Sequence, residues 1–188
     1  KAEGYCGNKA MHPFNPYNYN RPAVYKDFGF TDFIDKFDFP KNVKRVREYI
    51  SDEANVDRII SEYEKNRKKT DQPFYMYNMT IQNHSPYDKD AANFKQPIKI
   101  ESSKYDAEAN RYLNLIKYSD DSLKQLTGYF EKCKEPTIIL FLGDHQPRLT
   151  DEFMNKITNG QYQTWSSEQM MKRYQVPFVI WANYDIKE

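Results

Sequence analysis

Asp144 and His145 follow the run Ile138-Ile139-Leu140-Phe141-Leu142-Gly143, so an apolar stretch ends on a carboxylate beside an imidazole. Such donors suit Zn²⁺ or Mn²⁺. They also suit a proton-transfer dyad or a polar turn, and spacing alone leaves all three open. The chain has three histidines, His12, His84 and His145. Each lies in a short polar segment and not on a helix stripe, where it can ligate a metal or donate to a phosphate oxygen. In "HPFNPYNYNRPAVY", Arg21 follows His12 by nine residues, with Tyr17 and Tyr19 between them. Prolines and asparagines mark this as a structured loop. Arginine binds phosphate through a planar fork of donors; the competing reading is an ordinary surface arginine.

Elements must place these residues. Val56, Ile59, Ile60 and Tyr63 form one helical stripe, with Ser51 or Asp52 as N-cap and Lys65 to Lys69 as cations at its end. "PFYMYNMTI" (73–81) follows as a strand and runs into the polar turn "QNHSPY". Residues 88–105 are polar and without periodicity. A second helix carries Tyr112, Leu115, Ile116, Ser119, Leu123, Leu126 and Phe130 on one face and ends before Pro136. "TIILFL" and "VPFVIWAN" (176–183) read as further strands. Helices alternating with uniformly apolar strands predict an α/β domain, with a mostly parallel sheet covered on both faces. In such sheets ligands sit beyond the carboxyl ends of the strands. Asn83 with His84, and Asp144 with His145, each follow one.

Composition narrows the function. The 188 residues suit one domain with a real core. A net charge of +1 gives no electrostatic case for nucleic acid or an anionic membrane surface. No run of 18 apolar residues is present, and the N-terminal residues lack the pattern of a signal peptide. Aromatic content is high, at 16%, with 16 Tyr against 2 Trp; rings of this kind fill cores or line clefts. Cys6 and Cys133 match no metal or redox spacing and are expected to be buried thiols. Internal repeats and low-complexity segments are absent.

Taken together and in order, five segments resemble lipoteichoic-acid synthase-like phosphoglycerol transferases of the alkaline phosphatase and sulfatase superfamily. They are "GYCGNKAMHPFNPYNYNRPAVYKDFGFTDFID", "ISDEANVDRIISEYE", "PFYMYNMTIQNHSPY", "IKYSDDSLKQL" and "TIILFLGDHQPRL". The resemblance implies a sulfatase-like sheet flanked by helices. It also implies an extracellular catalytic domain anchored by upstream membrane helices, with one divalent metal, Mn²⁺ or Mg²⁺ (Zn²⁺ being possible). Glycerol phosphate would pass from a phosphatidylglycerol-type lipid to a glycerol-phosphate polymer through a threonine nucleophile. Asp144 and His145 match the family's metal ligands. His12, Arg21 and His84 match residues that hold the substrate's phosphate or glycerol. Tyr19 stands where these synthases commonly place tryptophan, which keeps an aromatic wall but alters its size. The family's nucleophilic threonine and its glutamate ligand match nothing here. Residues 1–188 are therefore expected to be the C-terminal-side part of a catalytic domain, inactive when isolated. Two alternatives stay open: another hydrolase or transferase of the superfamily, such as a sulfatase or phosphoethanolamine transferase, and a non-catalytic module that binds anionic polymer.

Overall fold

The computed structural model describes residues 7–100, 107–158, 160 and 164–186. They fall into two compact units: one runs to Asn83 and includes Ala91–Phe94, and the other holds His84–Asp90 and the chain from Lys95 onward.

The first unit is built on a parallel sheet ordered β2-β1-β5: β1 (Asn8–Met11), β2 (Asp32–Ile34) and β5 (Tyr75–Asn78). Alternation along β1 divides its side chains between two faces. Met11, with Ile34 and Met76, packs toward α2 (Asp52–Arg67) in a core completed by Phe39, Ile50 and Ala54. On the other face, Tyr25 of α1 (Arg21–Asp27) lies 4.9 Å from Phe33 and 6.0 Å from Tyr77, between ring centroids. Phe30 stacks on Tyr75. Many of the aromatic residues therefore serve as packing. A short antiparallel pair, β3 (Arg45–Val46) and β4 (Tyr49–Ile50), precedes α2. Ser51 is the N-cap, its hydroxyl accepting from the Ala54 N–H, and Lys65 and Arg67 occupy the last turn, as expected.

Lys9 lies on the α2 side of β1, where its ammonium pairs with Asp32 at 2.8 Å and with Glu62 of α2 at 2.7 Å. Glu62 is 4% exposed and also receives Arg58 and Lys65, each at 2.9 Å. Burial alone would push its carboxyl up. The hydrogen bonds from Lys65 and Lys9, with the charges of Lys9 and Arg58, outweigh burial and hold it down at about 2. A depressed carboxylate stabilises the fold above its unfolded value, 4.5, and loses that contribution as pH falls toward 2. The contribution at pH 7 is on the order of 3 kcal/mol. Glu62→Gln should therefore be markedly less stable at pH 7, and urea melts from pH 7 to pH 2.5 should show a shallower acid limb than wild type. Equal acid limbs would remove Glu62 from the acid-sensitive set.

The second unit is organised around α3 (Ala107–Phe130), which buries Asn114, Leu115, Ser119, Ser122 and Phe130, whereas Ile116 of the expected stripe is exposed. Residues 88–100 have no helix or strand, as their sequence suggests, yet they are held in place; 101–105 lie outside the described residues. Asn114, fully buried, donates to the Ile98 carbonyl and accepts from its N–H, both at 2.9 Å. Asn110 accepts from the Ile100 N–H at 3.0 Å.

β6 (Ile138–Leu142) and β7 (Phe178–Ala182) form a separate antiparallel pair, from Ile138 opposite Ala182 to Leu142 opposite Phe178. Cover on both faces, expected for every strand, does not extend to this pair. Ile139, Phe141, Val179 and Trp181 line a cleft of about 250 Å³ with Leu123 and Thr127 of α3. On the opposite face Ile138, Leu140, Leu142, Phe178 and Ile180 are each more than half exposed. An apolar run records the need for cover on both sides, and among the described residues only one side has it. Cys133 is half-buried instead of buried, its thiol 3.7 Å from the Tyr129 carbonyl, and Cys6 lies outside the described residues. Among the described residues no helix is long and apolar enough to cross a membrane.

Candidate functional site

In the first unit the chain leaves the carboxyl end of β1 directly into His12, which is 2% exposed. Its Nδ1 lies 3.0 Å from the Met79 carbonyl, just past the end of β5. A carbonyl only accepts, so Nδ1 carries the proton and Nε2 is the variable atom: lone pair when neutral, donor when charged. The ring meets Phe14 edge-on, at 6.1 Å between centroids.

A tight turn follows. The Asn15 side chain accepts from the Tyr17 N–H at 3.2 Å, and the Asn20 N–H donates to the Tyr17 carbonyl at 3.3 Å. Tyr19 and Asn20 both adopt left-handed backbone, at φ 57° and 49°. Asparagine tolerates that region, whereas for a bulky side chain it is an outlier. Arg21 then opens α1, with its Nη1 donating to the Asn18 carbonyl at 3.0 Å and its guanidinium 5.0 Å from the centre of the Tyr19 ring. Burial pushes the Tyr25 phenol up, as does Tyr77, while the nearby Arg21 pulls it down. The turn thus brings Tyr19 and Arg21 together, on the loop that His12 begins.

In the second unit, the peptide after β6 turns at Asp144. The Asp144 Oδ1 accepts from the His145 N–H at 2.9 Å, and Oδ2 lies 3.6 Å from His145 Nε2. His145 Nδ1 sits 2.8 Å from the Gln146 carbonyl, so it is the protonated nitrogen and Nε2 is turned toward the carboxylate. Gln146 is itself anchored: its side-chain amide donates to the Lys172 and Gln175 carbonyls, each at 2.9 Å. Gly143 donates to the Pro177 carbonyl at 3.4 Å. Gly143 turns with ordinary backbone angles, since positive φ at glycine occurs only at Gly7 and Gly29 among the described residues.

These two donors fit a divalent ion. A metal 2.0–2.2 Å from each ligand holds them about 3–3.5 Å apart, close to the 3.6 Å found. A ligating histidine characteristically gives its other N–H to a carbonyl or carboxylate, the part played here by Gln146. Asp144 and His145 are both well exposed. No group of three or more metal-binding side chains occurs among the described residues, so a complete coordination sphere needs further ligands or water. Asp144 does not cap the next helix; Thr150 caps α4 (Asp151–Ile157).

His84 is exposed at the start of the second unit, with Nδ1 2.7 Å from the Ser85 carbonyl. Gln146 and Asn15 were missed by sequence reasoning. An Asx turn at Asn15-Pro16 was legible in principle, whereas the Gln146 anchors lie 26 and 29 residues away and leave no local signal.

The chain is similar to several known proteins. A putative cyclic β-1,2-glucan modification protein of Rhizobium meliloti (strain 1021) is 32% identical over 97% of this chain, which spans 28% of that protein. The lipoteichoic acid synthase of Staphylococcus aureus (strain USA300) is 26% identical over 77% of the chain and 22% of its own length. Among solved structures, the lipoteichoic acid synthase LtaP from Listeria monocytogenes superposes with a TM-score of 0.71 at 24% identity, covering 94% of this chain and 43% of LtaP. The Streptococcus pyogenes phosphoglycerol transferase GacH, in complex with sn-glycerol-1-phosphate, gives 0.66 at 22% identity, covering 95% and 44%. These likenesses bear out the α/β sulfatase-like fold expected from the sequence. The Sulfatase family matches residues 1–188 throughout, and the chain belongs to that family.

Proposed function

We propose that the full-length protein is a metal-dependent phosphoglycerol transferase of the extracellular membrane face. It would move glycerol phosphate from a phosphatidylglycerol-type lipid to a cell-envelope polymer. The observation that carries this reading is the Asp144–His145 pair, with Oδ2 and Nε2 facing each other at 3.6 Å and the ring set by Gln146. Relatives named as lipoteichoic acid synthases and a structural neighbour solved with glycerol phosphate support the choice of donor. The glucan-modification relative favours an acceptor made of sugar.

Asp144 and His145 would hold one divalent ion, Mn²⁺ or Mg²⁺. When bound, such an ion lowers the pKa of a nucleophilic hydroxyl and neutralises charge on a phosphodiester. Arg21 offers a planar fork to the phosphate oxygens, held in orientation by Asn18 and the Tyr19 ring. His12 and His84 each have Nδ1 committed to a carbonyl, so Nε2 is the atom that donates to phosphate when the ring is charged. The attacking hydroxyl belongs, by the resemblance, to a threonine upstream of Lys1. Its oxygen bonds to phosphorus, the bond to diacylglycerol breaks, and the leaving oxygen takes a proton. An acceptor hydroxyl then displaces the threonine in a second step.

The test is release of diacylglycerol from fluorescent phosphatidylglycerol with Mn²⁺. The full-length protein should turn over and stop when the metal is chelated. The 188-residue chain should give no turnover above a metal-only blank. Activity in the short chain would place the nucleophile within residues 1–188 and sink the threonine assignment.

A further inference from the structure

The turn that carries Tyr19 presents a second ring with no role in the scheme above. Tyr17 is 78% exposed and Tyr19 85%. No hydrogen bond, ion pair or ring contact holds the Tyr17 side chain among the described residues, although its backbone is fastened on both sides, to Asn15 and Asn20. The turn is also strained. Left-handed backbone is costly at a bulky residue such as Tyr19, and glycine there would relieve it. Ordinarily, burial of the side chain offsets strain of this kind. Here both rings stand in solvent, so what the turn secures is their presentation. A backbone fixed by hydrogen bonds that displays wide, rigid rings is a good binding surface, because tyrosine loses little conformational freedom on contact.

The chemistry points to a sugar. The C–H face of a pyranose ring is apolar and flat enough to lie on a phenol ring, while its hydroxyls remain free to bond the phenolic oxygen and nearby amides. Three asparagines, Asn15, Asn18 and Asn20, interleave these tyrosines. No acidic residue lies between His12 and Lys26 to repel an anionic substituent. Tyr19 already has the Arg21 guanidinium over its ring; Tyr17 has no such cover.

We infer that Tyr17 is the acceptor-binding residue of this protein, stacking on a sugar ring of a glycan acceptor. This rests on the transferase reading above, in which Tyr19 and Arg21 serve the donor.

The test uses the full-length protein, Mn²⁺ and fluorescent phosphatidylglycerol, with cyclic β-1,2-glucan and poly(glycerol phosphate) as alternative acceptors. Tyr17→Ala should raise the KM for glucan about tenfold, while the KM for the lipid donor moves less than twofold; Tyr17→Trp should keep or lower the glucan KM. An unchanged glucan KM in Tyr17→Ala would overturn the inference, as would an equal rise in the donor KM, which would make Tyr17 part of the donor site. Preference for poly(glycerol phosphate) that is insensitive to Tyr17 would also overturn it. Calorimetric binding of glucan separates the two readings. Binding that weakens in Tyr17→Ala without any turnover in wild type sinks the transferase and keeps Tyr17. Transfer to glucan with binding unaffected by the substitution does the reverse.

Discussion

Asp144→Ala in the full-length protein should reduce phosphoglycerol transfer by about a thousandfold, the size of effect that follows loss of one group stabilising transition-state charge. Asp144 supplies one of the two donors that face each other after β6. Without it, His145 is left as the only described ligand on that turn, and a lone imidazole does not hold Mn²⁺ against water. Stability should hardly change, by about 0.5 kcal/mol or less, because the side chain is well exposed and caps no helix. Its one clear local bond, to the His145 N–H, can be replaced by water. Calorimetric titration of Mn²⁺ into both forms separates ligand from bystander. Tight binding that survives the substitution would remove Asp144 from the metal site. Gln146→Ala offers a graded comparison. Its side chain fastens the turn to the Lys172 and Gln175 carbonyls, so its loss should weaken Mn²⁺ affinity by roughly tenfold, as for other supporting groups around metals.

His84→Ala should remove turnover almost as completely, by about a hundredfold or more, and again leave the fold intact. His84 is exposed on the turn that follows Asn83, so truncation should cost on the order of 0.5 kcal/mol. A thermal melt beside the activity assay decides the matter. Lost activity with an unchanged melting temperature assigns His84 to the substrate phosphate, whereas a fall of many degrees makes it structural. Arg21→Lys is the companion variant. It keeps the charge but loses the planar fork, so transfer should fall while salt-sensitive binding of the anionic donor persists. Because Arg21 also bonds the Asn18 carbonyl and faces Tyr19 and Tyr25, its substitution carries a structural cost that His84→Ala does not.

Much of this architecture is written in short stretches of chain. Ser51 ahead of an apolar stripe dictated where α2 begins, because a hydroxyl N-cap satisfies orphan N–H groups through contacts only three residues long. The apolar runs at 138–142 and 178–182 dictated strands, because β-branched and aromatic side chains fit a pleated surface. Gly-Asp-His after the first of them, and His-to-Arg after β1, dictated which side chains end up on turns beyond strand ends. Such features depend on neighbours in sequence, and the sequence by itself determined them. Tertiary structure decided what depends on distant partners. β6 pairs antiparallel with β7, and one face of that pair is left open, because strand partnership and cover are settled by elements tens of residues apart. Glu62 reads as a solvent-facing helix residue until Lys9, 53 positions away, and its own helix neighbours surround it. Asn114 reads as a solvent-facing helix residue until it closes on both backbone groups of Ile98. At Asp144 and His145, sequence placed an imidazole beside a carboxylate; only the folded chain chose the protonated nitrogen, because that choice belongs to the Gln146 carbonyl that faces the ring, and Gln146 is anchored by its side chain to the distant Lys172 and Gln175 carbonyls.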